Sequence, residues 1–178
     1  MRHAALTRHT TTPCPGLTGI DVGASLRPDG ELSLTYTLAG DLGKLLIPAT
    51  DVPTRRDGLW RHTCFEVFVM ADNGPGYREF NFSPSGDWAA YAFASYRQGG
   101  PLVPAPEPAI VCRACDDALM LEVGLSRFAL PDGLRLRLGL SAVLEDRSGT
   151  LSYWALRHPP GKPDFHHIDT FALELLRL

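Results

Sequence analysis

From Glu31 to Ala39 the sequence alternates residue by residue, with Leu32, Leu34, Tyr36 and Leu38 interleaved with Glu31, Ser33, Thr35 and Thr37. Only an extended strand sorts that order onto two faces, one for a core and one for water. Arg27-Pro28-Asp29-Gly30 stands just before it. Proline presets its own φ and glycine can take φ > 0, so Ile20 to Leu26 is expected to fold back against this strand as a hairpin. Leu134 to Leu140 repeats the alternation after a second turn signal, Pro131-Asp132-Gly133.

Between these strands, Thr63 to Met70, Tyr77 to Ser83 and Asp87 to Phe93 are short, aromatic-rich and bounded by Gly, Pro, Asn or Asp. They read as a three-stranded meander. Further strand segments are Val111-Cys112, Ala118 to Leu125, Leu151 to Ala155 and Phe171 to Leu176. Proline-rich connections run from Pro101 to Pro108 and from Pro159 to Pro163. No long amphipathic helix is evident. Many short strands with turn signals between them predict an all-β fold, an antiparallel β-sandwich of jelly-roll type. The 178 residues suit one such domain over 16–178, preceded by a loose or edge-bound leader from Met1 to Pro15.

Composition narrows the function classes. A formal charge of -3 and the lack of any Lys/Arg run argue against a nucleic-acid partner. No stretch approaches the roughly 20 apolar residues of a membrane helix, and the first residues carry Arg and His where a signal peptide needs an apolar run. The expected location is the cytoplasm, with no membrane contact and with Cys14, Cys64, Cys112 and Cys115 as reduced thiols. Cys112 and Cys115 form a lone CxxC. It follows a strand pattern and no helix, so it lacks the setting that makes such a pair reactive.

Two segments concentrate polar and aromatic groups, Arg55 to Arg97 and Tyr153 to His167. In Glu79 to Ser83, Phe80 and Phe82 must point one way and Glu79, Asn81 and Ser83 the other, which gives one strongly polar sheet face. Glu66 lies on the preceding strand, where a hairpin can bring it near Glu79 or Asn81. Trp60, Trp88 and Tyr91 are apolar plates close by, and each tryptophan is either a core residue or a binding platform. Carboxylate, amide and aromatic groups together suit a sugar, whose hydroxyls take directional hydrogen bonds while its C–H face stacks on a ring. The second segment is a loop rich in Pro and Gly, the usual place for binding residues on a rigid sandwich.

Other chemistries have weaker patterns. His158, Asp164, His166 and His167 are metal-ligating types, but no HxxxH helix holds them and adjacent histidines diverge in an extended chain. A nucleophile elbow and a phosphate-cradling glycine loop are both absent. A retaining glycosidase would use Glu66 and Glu79 as nucleophile and acid/base about 5 Å apart.

The run Asp57-Gly58-Leu59-Trp60, then Thr63-Cys64-Phe65-Glu66-Val67-Phe68 and Glu79-Phe80-Asn81-Phe82-Ser83-Pro84-Ser85-Gly86, resembles the DOMON-like proteins, which are related in fold to family 9 carbohydrate-binding modules. Tyr153-Trp154-Ala155-Leu156 and Lys162-Pro163-Asp164-Phe165-His166 are similar to a bacterial subgroup of single-domain members, and the likeness spans Asp51 to Phe171. It implies a β-sandwich with a ligand pocket on one sheet or at its edge, for a sugar or, in the cytochrome-type branch, a haem held by a Met and a His. Met70 and Met120 with His62, His158 or His166 are the residues available for that role.

The reading that unites these observations is a non-catalytic domain with no required cofactor. Its expected ligand is a saccharide or sugar-derived metabolite, held between the polar sheet face and the 153–167 loop. Its candidate ligand-binding residues are Arg56, Trp60, Glu66, Glu79, Asn81, Trp88, Tyr96, Arg97, Trp154, His158, Asp164 and His166. Haem or metal binding and glycoside hydrolysis are the alternatives.

Overall fold

The computed structural model describes residues 1–13, 16–49 and 52–177. Cys14 and Pro15 in the expected leader, and Asp51 at the start of the family likeness, lie outside these residues. The strands are β1 (Arg2–Arg8), β2 (Leu17–Leu26), β3 (Leu32–Gly40), β4 (Cys64–Ala71), β5 (Tyr77–Phe82) and β6 (Trp88–Ser95). They continue with β7 (Gln98–Pro101), β8 (Ala109–Ala114), β9 (Ala118–Leu125), β10 (Arg135–Glu145), β11 (Leu151–Ala155) and β12 (Leu173–Leu176). The protein is an all-β antiparallel sandwich, as the alternating patterns predict.

One layer runs β1-β2-β3-β9-β8 and the other β7-β6-β5-β4-β10-β11. Along one side β10 carries β4; along the other it carries β12 at residues 135–138 and β11 at 141–145. The hairpin of β2 and β3 closes through Arg27 to Gly30, where Gly30 takes φ 85° and donates its N–H to the Arg27 carbonyl. The meander of β4, β5 and β6 is present in register, Val67 opposite Phe80 and Phe80 opposite Ala90.

The core lies between the layers. Ile20, Val22, Leu34, Tyr36, Leu38, Leu119 and Leu121 come from one side. Phe65, Val67, Val69, Phe80, Phe82, Leu138 and Leu140 meet them from the other. Each such side chain contributes about 1.5–3 kcal/mol on leaving water. The Tyr36 hydroxyl crosses this core and donates to the Glu66 carbonyl at 2.7 Å, tying β3 to β4.

The leader expected over residues 1–15 is corrected. Arg2 to Leu6 pair with β2, while Thr7 and Arg8 pair with Ala155 and Trp154 of β11, so β1 joins the two layers. Only Leu6 of this strand is buried. Backbone hydrogen bonds and the single core residue Leu6, without an alternating hydrophobic face, place it there, which is why alternation does not reveal it. β7 is hidden for the same reason. Its Gln-Gly-Gly-Pro sequence has no apolar pattern, and a Cβ on Gly99 would lie 2.0 Å from the Ala92 carbonyl oxygen, so glycine permits the approach to β6. Cys64, Cys112 and Cys115 are free thiols.

Removing the hydroxyl in Tyr36→Phe is expected to lower stability by about 1–2 kcal/mol without changing the fold, since one buried hydrogen bond is lost. A urea midpoint shift at constant m would report it. An unchanged midpoint would mean that the bond between the layers contributes nothing.

Candidate functional site

The alternation that sends Phe65, Val67 and Val69 into the core turns Cys64, Glu66, Phe68 and Met70 to the outer face of the same layer. All eight residues of β4 are buried. On β5 the outward set is Tyr77, Glu79 and Asn81, and on β6 it is Ala89, Tyr91 and Phe93. This outer face is covered by the chain that leaves β11 and by the 3₁₀ turn Leu59–Arg61. Between them is a cavity of about 360 Å³, within the roughly 300–1,000 Å³ range of small-molecule sites.

Glu66, Phe68, Glu79 and Val143 form its floor, and Tyr91, Phe93 and Tyr153 its sides. Pro163, Phe165 and His166 close it from above, while Trp60 and Arg97 stand at the mouth. Glu66 pairs with Asn81 across the strands and Phe68 with Glu79, so the two glutamates are diagonal neighbours. Glu66 accepts from the Ser141 hydroxyl at 3.3 Å, and Glu79 accepts from the Asn81 amide at 2.9 Å.

Both carboxyls are held protonated beyond their ordinary range. Burial pushes Glu66 well up, and the Glu79 charge pushes it further, against the Ser141 hydrogen bond. Burial raises Glu79 to about 7, with the Asn81 amide and Arg97 opposing. The pair therefore keeps a proton near neutrality.

His166 is neutral there, its pKa lowered to about 4 mainly by burial and then by Arg97, with Asp164 opposing. The Tyr77 hydroxyl accepts from the Arg97 N–H at 3.0 Å, which leaves its own proton for His166 Nδ1 at 2.9 Å. The imidazole proton is then on Nε2, 3.7 Å from Glu79 Oε2.

The covering loop is fixed from the β6–β7 turn. Arg97 donates to Asp164 Oδ1 at 2.9 Å, and the Tyr96 hydroxyl donates to Asp164 Oδ2 at 2.6 Å. Asp164 Oδ1 also accepts the backbone N–H of His166 at 3.1 Å. Tyr96 and Asp164 thus position the loop and do not line the cavity.

Of the twelve candidates, the structure brings Trp60, Glu66, Glu79, Arg97 and His166 to the cavity, and Asn81 lies buried beside Glu79. Four others are corrected. Trp88 is 6% exposed and Trp154 7%, both in the core between the layers. Trp88 sits three residues from Tyr91 on one strand and so faces the opposite way; its ring lies under the Arg55 guanidinium. The Trp154 indole donates to Ser152 Oγ at 3.1 Å, while its neighbour Tyr153 takes the outer face. Arg56 is mostly in solvent and pairs with Asp87. His158 is bonded to the Thr7 carbonyl at 2.8 Å, away from the cavity.

Phe68, Tyr91, Phe93, Val143, Tyr153, Pro163 and Phe165 complete the lining without having been candidates. Parity alone marks Phe68, two residues after Glu66, and Phe93, two after Tyr91. Met70 and Met120 fall in different layers, and His62 pairs with Glu145 at 2.8 Å. Among the described residues no group of three or more His, Cys, Asp or Glu is placed to hold a metal ion.

No family model matches this sequence, and no curated protein matches it. Solved structures do. A candidate carbohydrate-binding protein from Bacteroides uniformis ATCC 8492 aligns with a TM-score of 0.68 at 14% identity, over 96% of this chain and 84% of that one. A family 9 carbohydrate-binding module from Caldicellulosiruptor kristjanssonii in complex with glucose gives 0.60 at 9% identity, over 98% of this chain and 83% of the other. One from the same organism with cellotriose gives 0.53 at 12%, over 90% and 74%. These likenesses show the fold, the sandwich that the family 9 resemblance implies. No DOMON protein is among the three.

Burial of Glu79 has a consequence for stability. Unfolded, its carboxyl ionises near the ordinary 4.5; folded, it keeps its proton up to about 7. The folded protein then binds more protons across that window, and the contribution of Glu79 to stability falls as pH rises through it. His166 acts with the opposite sign between about 4 and its ordinary 6.5, so wild type alone does not isolate either group. Glu79→Gln removes the first effect, together with the push of the Glu79 charge on Glu66, and leaves the His166 effect in place. The stability of this variant relative to wild type is expected to rise between pH 4.5 and 7, by at most about 1.4 kcal/mol per pH unit. Urea unfolding of both proteins at several pH values measures it, and a constant difference would contradict the burial of an ionisable Glu79.

Proposed function

We propose that this protein is a non-catalytic domain that binds a saccharide in the cavity on the outer face of the β4–β5–β6 layer. The observation that carries the reading is the cavity itself, with carboxylates on its floor and aromatic rings around its sides. The fold is shared with family 9 carbohydrate-binding modules solved with glucose and with cellotriose, which supports the same ligand class here.

Each lining residue has a role in such a complex. Trp60, 40% exposed at the mouth and edge-on to Tyr91 with ring centroids 5.8 Å apart, offers a face for the C–H side of a pyranose. Glu66 and Glu79 accept from sugar hydroxyls, and the Nε2–H of His166 donates to one. Arg97 holds the loop and adds a donor at the rim. A volume of about 360 Å³ suits a single sugar ring or the end of a short chain.

Titration calorimetry with glucose, cellobiose, cellotriose and a panel of other mono- and disaccharides tests the reading. At least one is expected to bind at one site per chain, with a dissociation constant of roughly µM to mM. Trp60→Ala and Glu79→Ala are expected to weaken that binding about tenfold or more, while Arg56→Ala, on the surface away from the cavity, leaves it unchanged. Absence of heat across the panel would overturn the assignment.

A further inference from the structure

The floor of the cavity has more acceptors than donors. Glu66 receives the Ser141 hydroxyl and Glu79 the Asn81 amide. Asn81 Oδ1 is fully buried with no hydrogen-bond partner. It belongs to the side chain that bonds Glu79 and stands opposite Glu66 across the strands. His166 Nε2, at 3.7 Å from Glu79, is beyond hydrogen-bond length. Among the described residues neither glutamate is ion-paired with a lysine or arginine. The arginine at the mouth, Arg97, is half exposed and committed to Asp164 and Tyr96. Around these oxygens are the rings of Phe68 in the floor and of Trp60, Tyr91, Phe93, Tyr153 and Phe165.

Buried carboxylates without a cation, under aromatic walls, are complementary to an ammonium group. It supplies three N–H donors to oxygens that lack them and places positive charge against ring faces. A neutral sugar supplies hydroxyl donors but brings no positive charge to the carboxylate of the pair. We propose that the buried end of the ligand is a protonated primary amine, which within the saccharide class means an amino sugar, with its nitrogen on Glu66 and Glu79.

This deepens the saccharide reading and rests on it for the rest of the ligand. Binding exchanges the proton held by the glutamate pair for the charge of the ammonium, and the displaced proton passes to solvent. Other charged or titratable groups surround the pair. They are Cys64 on β4, Tyr77 on β5, Tyr91 with Asp57 across β6, and Arg97, Asp164 and His166 over the mouth. Tyr36 lies behind the pair, bonded to the Glu66 carbonyl.

The test compares glucosamine, glucose and N-acetylglucosamine on the full chain by titration calorimetry near pH 6.5, in two buffers of different ionisation enthalpy. Methylammonium serves as a primary amine without a sugar ring, and choline, a quaternary ammonium with no N–H, as a charge without donors. The expected result is glucosamine at least tenfold tighter than the other two sugars, with proton release on binding. Glu79→Gln is expected to bring the three sugars within about threefold of one another; its folding is checked by circular dichroism, with Glu66→Gln as the second variant. Glucose or N-acetylglucosamine binding as tightly as glucosamine overturns the ammonium site and leaves the saccharide reading standing. Methylammonium binding while every sugar fails supports the ammonium site and overturns the saccharide reading, and choline binding as tightly as methylammonium overturns the primary-amine assignment. Silence from all the probes overturns both.

Discussion

β4 is buried on both faces, and the rest of the site follows from that. In a two-layer sandwich one face of each sheet packs on the other layer, and the second face ordinarily meets water. Here the outer face of β4, β5 and β6 carries two glutamates and an asparagine amid aromatic rings, and the chain between β11 and β12 lies over them. Without that cover the carboxylates would be solvated and ordinary. With it, they share a cavity, a proton and a low-dielectric surrounding.

The cover depends on a small set of contacts at the β6–β7 turn. Arg97 adopts φ 56°, a left-handed conformation that residues with a Cβ rarely take, and such backbone costs about 1–3 kcal/mol. In that conformation its N–H reaches Tyr77 while its guanidinium reaches Asp164. An exposed ion pair by itself contributes about 0–1 kcal/mol. The value of this one is geometric: the same aspartate receives Tyr96 and the His166 backbone, so the pair fixes where Pro163, Phe165 and His166 stand. Tyr77 then sets the tautomer of His166. One turn therefore decides both the shape of the cavity and which nitrogen of its imidazole is a donor.

Parity in the sequence revealed much of this. The alternation of Leu32 to Leu38 and of Leu136 to Leu140 places strands correctly, because a half-buried strand must alternate, while Leu134 lies just before β10 and is exposed. Phe80 and Phe82 against Glu79 and Asn81 give the right faces for β5. Trp88 and Trp154 are legible by the same parity. Tyr91 and Trp88 are three apart and Tyr153 and Trp154 adjacent, so in each pair only one residue can face the cavity. Trp60 is different, because it lies on a 3₁₀ turn with no alternation to assign its side. β1 buries only Leu6 and β7 buries no residue, so neither has an apolar pattern to read. The position of Asp164 under Arg97 was equally hidden, because the path of a loop is set by contacts between residues far apart in the chain.

The solved structures that this chain resembles share the sandwich at 9–14% identity. That is intelligible physically. Alternation needs a class of residue at each position and not a particular one, so the layers persist while nearly every side chain changes. A binding site has no such latitude, since each group must match a ligand atom. The ligand proposed for this chain therefore rests on its own floor and walls more than on its fold. Glu66 and Glu79 are the least replaceable part of that floor. Two carboxyls buried together destabilise the folded state whenever both ionise, and apolar residues of similar size at these positions would relieve the repulsion. What distinguishes the pair from such residues is an oriented set of acceptors beside a ring-lined space, which complements a ligand rich in donors.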